Sequence, residues 1–324
     1  MAAAPPGRVR IREVGPRDGF QNEPELVSTE DKIQLVELLA RTGLARIEVT
    51  SFVSAAAVPQ LADAEEVLAA VSLPDAVEAC VLVPNERGLE RALRFRDRIA
   101  QVSGFVSASE THNRLNVNRT IAESLVEVER VIAGTRSAGL RAGAVISVSF
   151  GCPYEGRVPP ERVVEIAGRL AAAGAEEIGF GDTTGMANPV SVRDFFPEAR
   201  EALGPGPELT AHFHNTRGQG LANVLAALEV GVDSFESSFG EIGGCPVPRG
   251  ATGNIATEDL VSMLQEMGIE TGVDLERLLE ATRVLAATLR RPLGSHTLLA
   301  GPVSWRPGGG AASRQLAAEQ PGEQ

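Results

Sequence analysis

Eight short β-like runs, separated by stretches whose apolar residues recur at helical spacing, set the tightest limit on what this chain can fold into. They lie at 8–14 (RVRIREV), 45–52 (ARIEVTSF), 77–83 (VEACVLV), 98–106 (RIAQVSGFV), 141–150 (RAGAVISVSF), 175–182 (AEEIGFGD), 208–215 (ELTAHFHN) and 232–240 (VDSFESSFG). The periodicity between them predicts helices over 29–42, 62–71, 121–139, 160–174 and 220–231. Strand and helix in alternation imply parallel pairing through right-handed crossovers. Glycines 43, 139, 174 and 231 stand just before the next run, where a helix commonly ends in a left-handed residue. Eight such units are the number that closes an α/β (β/α)₈ barrel. An open doubly wound sheet is the alternative, but no GxGxxG follows the first run, and GFGDTTG at 179–185 has the wrong spacing. Extra C-terminal helices are predicted over 257–268 and 274–291. The expected organisation is a flexible stretch at 1–7, a barrel with its C-terminal helices over 8–292, and a disordered tail over 293–324 that ends rich in Gly, Pro, Ala and Gln.

With 324 residues and 43% hydrophobic content, the chain can bury a substantial core. Its net charge of −13 argues against nucleic acid as a partner, since counterion-driven affinity requires a basic surface. No apolar run reaches the ~18 residues that a membrane span needs, and the opening MAAAPPGRVR lacks the apolar stretch of a secretory signal. A cytoplasmic location without a membrane partner is therefore expected. Cys80, Cys152 and Cys245 are odd in number and widely spaced, which gives neither a disulfide framework nor a CxxC pair and leaves at least one free thiol. Homo-oligomerisation is left open.

In a barrel the C-terminal ends of the strands share one face, and active sites sit there. Polar, reactive residues accumulate at those ends: Arg17 and Asp18 after the first run, Glu48 in the second, Ser107 and Glu110 after the fourth, Cys152 after the fifth, Asp182 at the end of the sixth, His212 and His214 in the seventh, and Cys245 and Asn254 after the eighth. His212-Phe213-His214 is the sharpest local signal. Residues i and i+2 of a strand share a face, so both imidazoles can reach one ion while Phe213 turns toward the helices. An HxH alone is more often a hydrogen-bonded pair of core histidines; Asp18 and Asn254 from other strand ends shift the balance to a metal site. Two imidazoles, a carboxylate and an amide oxygen with open positions suit Mg²⁺ or Mn²⁺. Arg17 keeps its charge at any working pH and can stabilise an enolate oxygen. Adjacent residues of a strand point apart, so no salt bridge between Arg17 and Asp18 is expected. The Gly- and Pro-rich loop at 243–254 reads as a lid carrying the Cys245 thiol, although a free loop cysteine commonly has no function. Cys80 reads as ordinary strand packing.

Taken together, EVGPRDGFQNE, IEVTSFVS with VPQLAD, FGCPYEG, GDTTGMANP, HFHNTRGQGLAN and GGCPVPRGATGNIATEDLV make the chain resemble the 3-hydroxy-3-methylglutaryl-CoA lyases from about residue 8 to 290. The resemblance implies a TIM barrel and a divalent-metal-dependent retro-Claisen cleavage of an acyl-CoA thioester. It implies Asp18, His212, His214 and Asn254 as metal ligands, Arg17 as enolate stabiliser, His212 as general acid and Cys245 as the lid residue near the reacting hydroxyl. Glu48 and Asp182 become acidic participants, and Ser107 and Cys152 pocket lining. A synthase- or aldolase-type reaction on the same metal site, or a non-catalytic metal- or CoA-binding protein, are the rival readings. The chain departs from the family's familiar residues at Ala55 to Ala57, at Arg217 and at Val247 to Arg249. These departures bear on the acyl group rather than on the reaction.

Overall fold

The computed structural model describes residues 5–244 and 253–305. All eight expected strands are present: β1 Arg10–Glu13, β2 Arg46–Ser51, β3 Glu78–Leu82, β4 Gln101–Ser107, β5 Arg141–Ser147, β6 Glu177–Asp182, β7 Glu208–Phe213 and β8 Ser234–Ser237. They pair in parallel and in sequence order, and β8 returns onto β1 with Arg10 opposite Ser234 and Glu13 opposite Ser237, closing the barrel. Around it run α1 Thr29–Ala40, α2 Ala64–Ala70, α3 Glu86–Ala92, α4 Glu110–Val117, α5 Ile121–Ser137, α6 Pro160–Ala172, α7 Pro189–Leu203 and α8 Gly220–Glu229. The C-terminal α9 Thr257–Glu266 and α10 Leu275–Leu289 follow as expected.

Local sequence chemistry sets the helix ends. Ser28 accepts from the Asp31 amide at the start of α1, and Thr120 and Glu123 close a reciprocal cap on α5. The four glycines before strands all have positive φ. At Gly43 the requirement is double, because a Cβ there would lie 2.2 Å from the Gly272 carbonyl oxygen.

Outside the strands, Phe180, Phe195 and Phe196 pack edge to face at centroid distances of 5.0 to 5.8 Å, and Phe150 and Phe213 join them. Phe213 thus faces the helices, and β7 turns His212 to the opposite side. Inside, branched aliphatic layers usually fill such a barrel. Here the lower interior is charged: Arg12 donates to Glu177 at 2.7 Å and to Glu236 at 3.0 Å, and Gln101 and Thr210 also donate to Glu177.

Two expectations need correction. The disordered tail does not begin at 293: Leu293 and Ser295 are buried, and α11 His296–Ala300 packs on α9, with Asp259 accepting from Ser295 and from the amides of His296 and Thr297. Arg17 and Asp18 do not continue β1 as a strand. They sit in a π-helical turn, Gly15–Gly19, whose curl brings their side chains together, so that Arg17 donates to Asp18 at 2.6 Å. No helix among the described residues is long and apolar enough to cross a membrane.

Candidate active site

At the C-terminal end of the strands the barrel opens into a cavity of about 480 Å³. Arg17, Asp18, His212, His214 and Glu236 line its floor. The turn at Gly15–Gly19 supplies the first two, β7 supplies His212, and an antiparallel bridge between His214 and Asn254 folds the chain after β8 back over β7.

Asp18, His212 and His214 each bring one ligand atom within 4.8 Å of the others. The two Nε2 atoms are 3.0 Å apart, and Asn254 donates to the second Asp18 oxygen at 2.9 Å. His212 is oriented from behind, its Nδ1 lying 2.9 Å from Glu236. A carboxylate behind an imidazole fixes the tautomer and presents Nε2 forward, as at many histidine–metal sites. His214 Nδ1 and Asn254 Oδ1 are buried without a hydrogen-bond partner, an arrangement that normally requires a ligand or water to offset its cost.

These atoms fit a divalent ion. Neighbouring ligands of an octahedral ion at ~2.1 Å from its centre lie ~3.0 Å apart, matching the separation of the two imidazoles. Nitrogen, carboxylate and amide donors without thiolate point to an oxygen-tolerant ion.

Electrostatics sharpen the asymmetry between the two imidazoles. Burial depresses the His212 pKa, but its bond to Glu236 and the charges of Glu236 and Asp18 raise it overall. Burial and the neighbouring His212 push His214 down to about 3, so it is a neutral donor of an electron pair. Burial would raise Asp18, yet Arg17 and both histidines hold it below its ordinary value. Arg17 is gripped on both sides, by Asp18 and by Glu48, to which its Nε donates at 2.5 Å. Burial opposes its charge, and the two carboxylates more than restore it.

The remaining predicted residues divide. Glu48 reaches the site through Arg17. Asp182 is buried, accepts from the amides of Met186 and Ala187 with one oxygen, and leaves the other without a partner; burial pushes it up to about 7. Ser107 does not line the cavity but holds His112, which does, at 2.9 Å from Nδ1. Burial lowers the His112 pKa. Cys152 is also not in the lining: it is buried and bridged to Gly156. Glu110 accepts from the Ile121 amide at the start of α5. Arg217 donates to the Thr184 and Gly185 carbonyls and ties the loop after β6 to the loop after β7. Ala57 lines the cavity wall. Cys245, Val247 and Arg249 lie outside the described residues.

Glu236 and His112 were missed from the sequence. Glu236 carried a legible signal: it stands at i+2 from Ser234 on the last strand, on the inward alternation and beside the strand that bears His212. Cys80, as expected, packs in β3, where burial pushes its thiol up to about 12.

The family model HMGL-like matches residues 8–285. Hydroxymethylglutaryl-CoA lyase YngG of Bacillus subtilis is 45% identical over 293 residues, covering 90% of this chain and 97% of the relative. The mitochondrial hydroxymethylglutaryl-CoA lyase of Rattus norvegicus is 44% identical, covering 90% and 88%. Among solved structures, an HMG-CoA lyase from Acinetobacter baumannii in complex with coenzyme A and 3-methylmalate superposes with a TM-score of 0.88 at 39% identity, covering 93% of this chain and 97% of that one. The B. subtilis HMG-CoA lyase crystal structure gives the same TM-score at 45% identity, covering 92% and 99%. With most of its length matched by the family model and by these relatives, the chain belongs to the HMGL-like family.

Proposed function

We propose that this chain cleaves 3-hydroxy-3-methylglutaryl-CoA, or a close 3-hydroxy-3-alkyl homologue, to acetyl-CoA and a keto acid at a divalent ion held by Asp18, His212, His214 and Asn254. The observation that carries the reading is the convergence of three ligand atoms within 4.8 Å beside a doubly gripped arginine. Bound there, Mg²⁺ or Mn²⁺ would act as a Lewis acid that eases loss of the substrate's C3 hydroxyl proton.

The protein's own residues account for the rest. As the C3 hydroxyl loses its proton and becomes the keto group, the C2–C3 bond breaks and its electron pair passes to the thioester as the enolate of acetyl-CoA. One proton returned to C2, matching the one lost from the hydroxyl, completes acetyl-CoA. The Arg17 guanidinium, kept charged by Glu48 and Asp18, receives that developing oxygen charge without giving up a proton. Held from both sides, it has little orientation left to lose. Glu236 holds His212 with Nε2 facing the cavity. The two roles drawn for His212, ligand and proton donor, compete for that one nitrogen, and its proximity to His214 favours the ligand role. Asp182, raised to about 7 by burial and with one oxygen unpartnered, is an acidic group beside His212 that can hold or release a proton near neutral pH. Cys245 keeps the role of a lid thiol near the reacting hydroxyl, on the strength of the family resemblance. The relatives include forms named cytoplasmic and mitochondrial; a cytoplasmic location is proposed here.

A panel of 3-hydroxy-3-alkylglutaryl-CoA thioesters, assayed with Mg²⁺ and with Mn²⁺ for acetyl-CoA and its keto partner, tests the reading. Ala57 is a small residue on the cavity wall, and the expected change in kcat/KM from methyl to ethyl is within the ~10- to 200-fold worth of one methylene. Absence of acetyl-CoA release across the panel would overturn the function, and a steeper fall would show a closed C3 pocket.

A further inference from the structure

One buried carboxylate outside the cavity makes more of the site's geometry than any ligand does. Glu13, at the end of β1, is wholly buried. It accepts four hydrogen bonds from three separate segments: from the Gly15 amide at 2.7 Å, from the Phe239 amide at 3.1 Å on each oxygen, and from the Thr257 hydroxyl at 2.6 Å. Gly15 opens the turn that carries Arg17 and Asp18. Phe239 begins the chain's departure from β8, and Thr257 stands three residues after Asn254. Glu13 is therefore the common anchor of the two segments whose side chains, Asp18 and Asn254, meet at 2.9 Å.

Backbone bonds from Ser238 to Ile255 and from Thr257 to Ser238 hold the returning segment to β8, and Glu13 joins both to the turn. Gly240 and Glu241 are successive residues with positive φ, at 71° and 60°. A non-glycine residue held there costs energy and persists only where its surroundings fix it. The amides just before and at this bend are taken up by carboxylates: Phe239 by Glu13, and Gly240 by Glu258 at 2.9 Å. The turn and the returning segment also touch without slack. A Cβ on Gly15 would lie 2.4 Å from the Phe239 ring, and one on Gly243 would lie 3.0 Å from the Asp18 carbonyl oxygen.

We infer that Glu13 is a positioning residue that fixes the distance between Asp18 and Asn254 by clamping the turn that bears one to the returning segment that bears the other. The inference rests on the reading of Asp18 and Asn254 as metal ligands. Residues that orient ligands without touching the ion typically contribute ~10- to 100-fold to metal affinity, so the effect should be read in binding as well as in turnover.

The test is Mn²⁺ binding to the full chain, measured as loss of the free-ion electron paramagnetic resonance signal, alongside kcat. Glu13→Ala removes every contact and should weaken Mn²⁺ binding at least ~10-fold. Glu13→Gln keeps an acceptor for the two amides, and its NH₂ can donate to the Thr257 oxygen, so it should recover most of that affinity. Thr257→Val cuts the arm to the returning segment, together with the Thr257–Ser237 hydroxyl contact, and should fall between them; Ser237→Ala, which removes only that second contact, should bind Mn²⁺ as the wild type does. A Glu13→Ala protein that is folded by circular dichroism and binds Mn²⁺ as the wild type does would overturn the inference. Should Glu13→Ala fail to fold, Thr257→Val decides, and unchanged binding in that variant overturns it equally. Asp18→Ala separates the two levels: if it too leaves Mn²⁺ binding intact, the metal-site reading itself fails, whereas loss in Asp18→Ala with no loss in Glu13→Ala sinks only the positioning role.

Discussion

The two ends of this barrel both carry charged groups and treat them differently. At the floor, Glu208 receives Arg10, Arg46 and Arg141 at 2.6 to 2.9 Å, and Arg12 spans Glu177 and Glu236. At the mouth, His214, Asn254 and Asp182 each keep a buried polar atom without a partner. Glu236 belongs to both ends, with one oxygen on Arg12 and the other on His212. Among the described residues, the floor network leaves only Arg12 Nε and Gln101 Oε1 without a partner, and its carboxylates are all matched by arginines, which is what a polar barrel interior needs in order to be stable. A network left open on one side is what a site needs in order to bind something.

The comparison breaks most sharply at Asp18. Asp18→Ala removes a proposed ligand and one of the two carboxylates on Arg17, so acetyl-CoA release should vanish while the fold survives; turnover at the wild-type rate would mean that the mouth is only a variant of the floor. Arg17→Gln should lower kcat by about 10²- to 10³-fold, the usual loss for a donor aimed at developing negative charge, with Mn²⁺ affinity little changed. A kcat within about threefold of wild type, far short of that loss, would make Arg17 a structural ion-pair partner. At the floor the signs reverse. Glu208→Ala removes the carboxylate shared by Arg10, Arg46 and Arg141, which are only partly buried and keep Asp233, Glu78 and Glu177 as partners. It should therefore cost about 1 kcal/mol of stability, seen as a lower Tm, while kcat at permissive temperature is retained.

A smaller effect separates the floor from the hub beneath the mouth by pH. Burial acts against the Glu208 charge, but the bonds and charge of Arg46 bring its pKa down to about 2. A depressed carboxylate contributes stability above its unfolded value and loses it as the pH falls toward the folded one. Glu13 and Glu258 are the opposite case: burial raises them to about 7 and about 8. The folded state then binds more protons than the unfolded one between their ordinary value and these values, and their contribution fades as pH rises through that window. Tm should therefore decline toward alkaline pH, and Glu258→Gln should flatten the decline; an unchanged slope in that variant would assign the alkaline loss to other groups.

The sequence exposed the barrel because its eight strands and their helix-ending glycines are local features that the closed topology only has to collect. His212 and His214 were legible for the same reason, since a two-residue alternation is written in adjacent letters. Asp18 and Asn254, 236 positions apart, could be joined only through the family resemblance and the rule that strand ends share a face. The Arg17–Asp18 contact was misjudged because a π-helical turn cannot be told from the end of a strand by periodicity across five residues. Glu13 looked like part of a β-like run, and nothing local marks a carboxylate that joins Gly15 to two partners more than two hundred residues away. The ordered α11 was hidden because Asp259, not its own composition, holds it.

The central proposal is that Asp18, His212, His214 and Asn254 at the mouth hold a divalent ion without which the carbon–carbon bond does not break. The direct measurement is acetyl-CoA release from 3-hydroxy-3-methylglutaryl-CoA by exhaustively chelated enzyme, before and after Mg²⁺ or Mn²⁺ is returned. Release should be absent in the chelated protein and restored by either ion. Full release in the chelated protein would contradict the account.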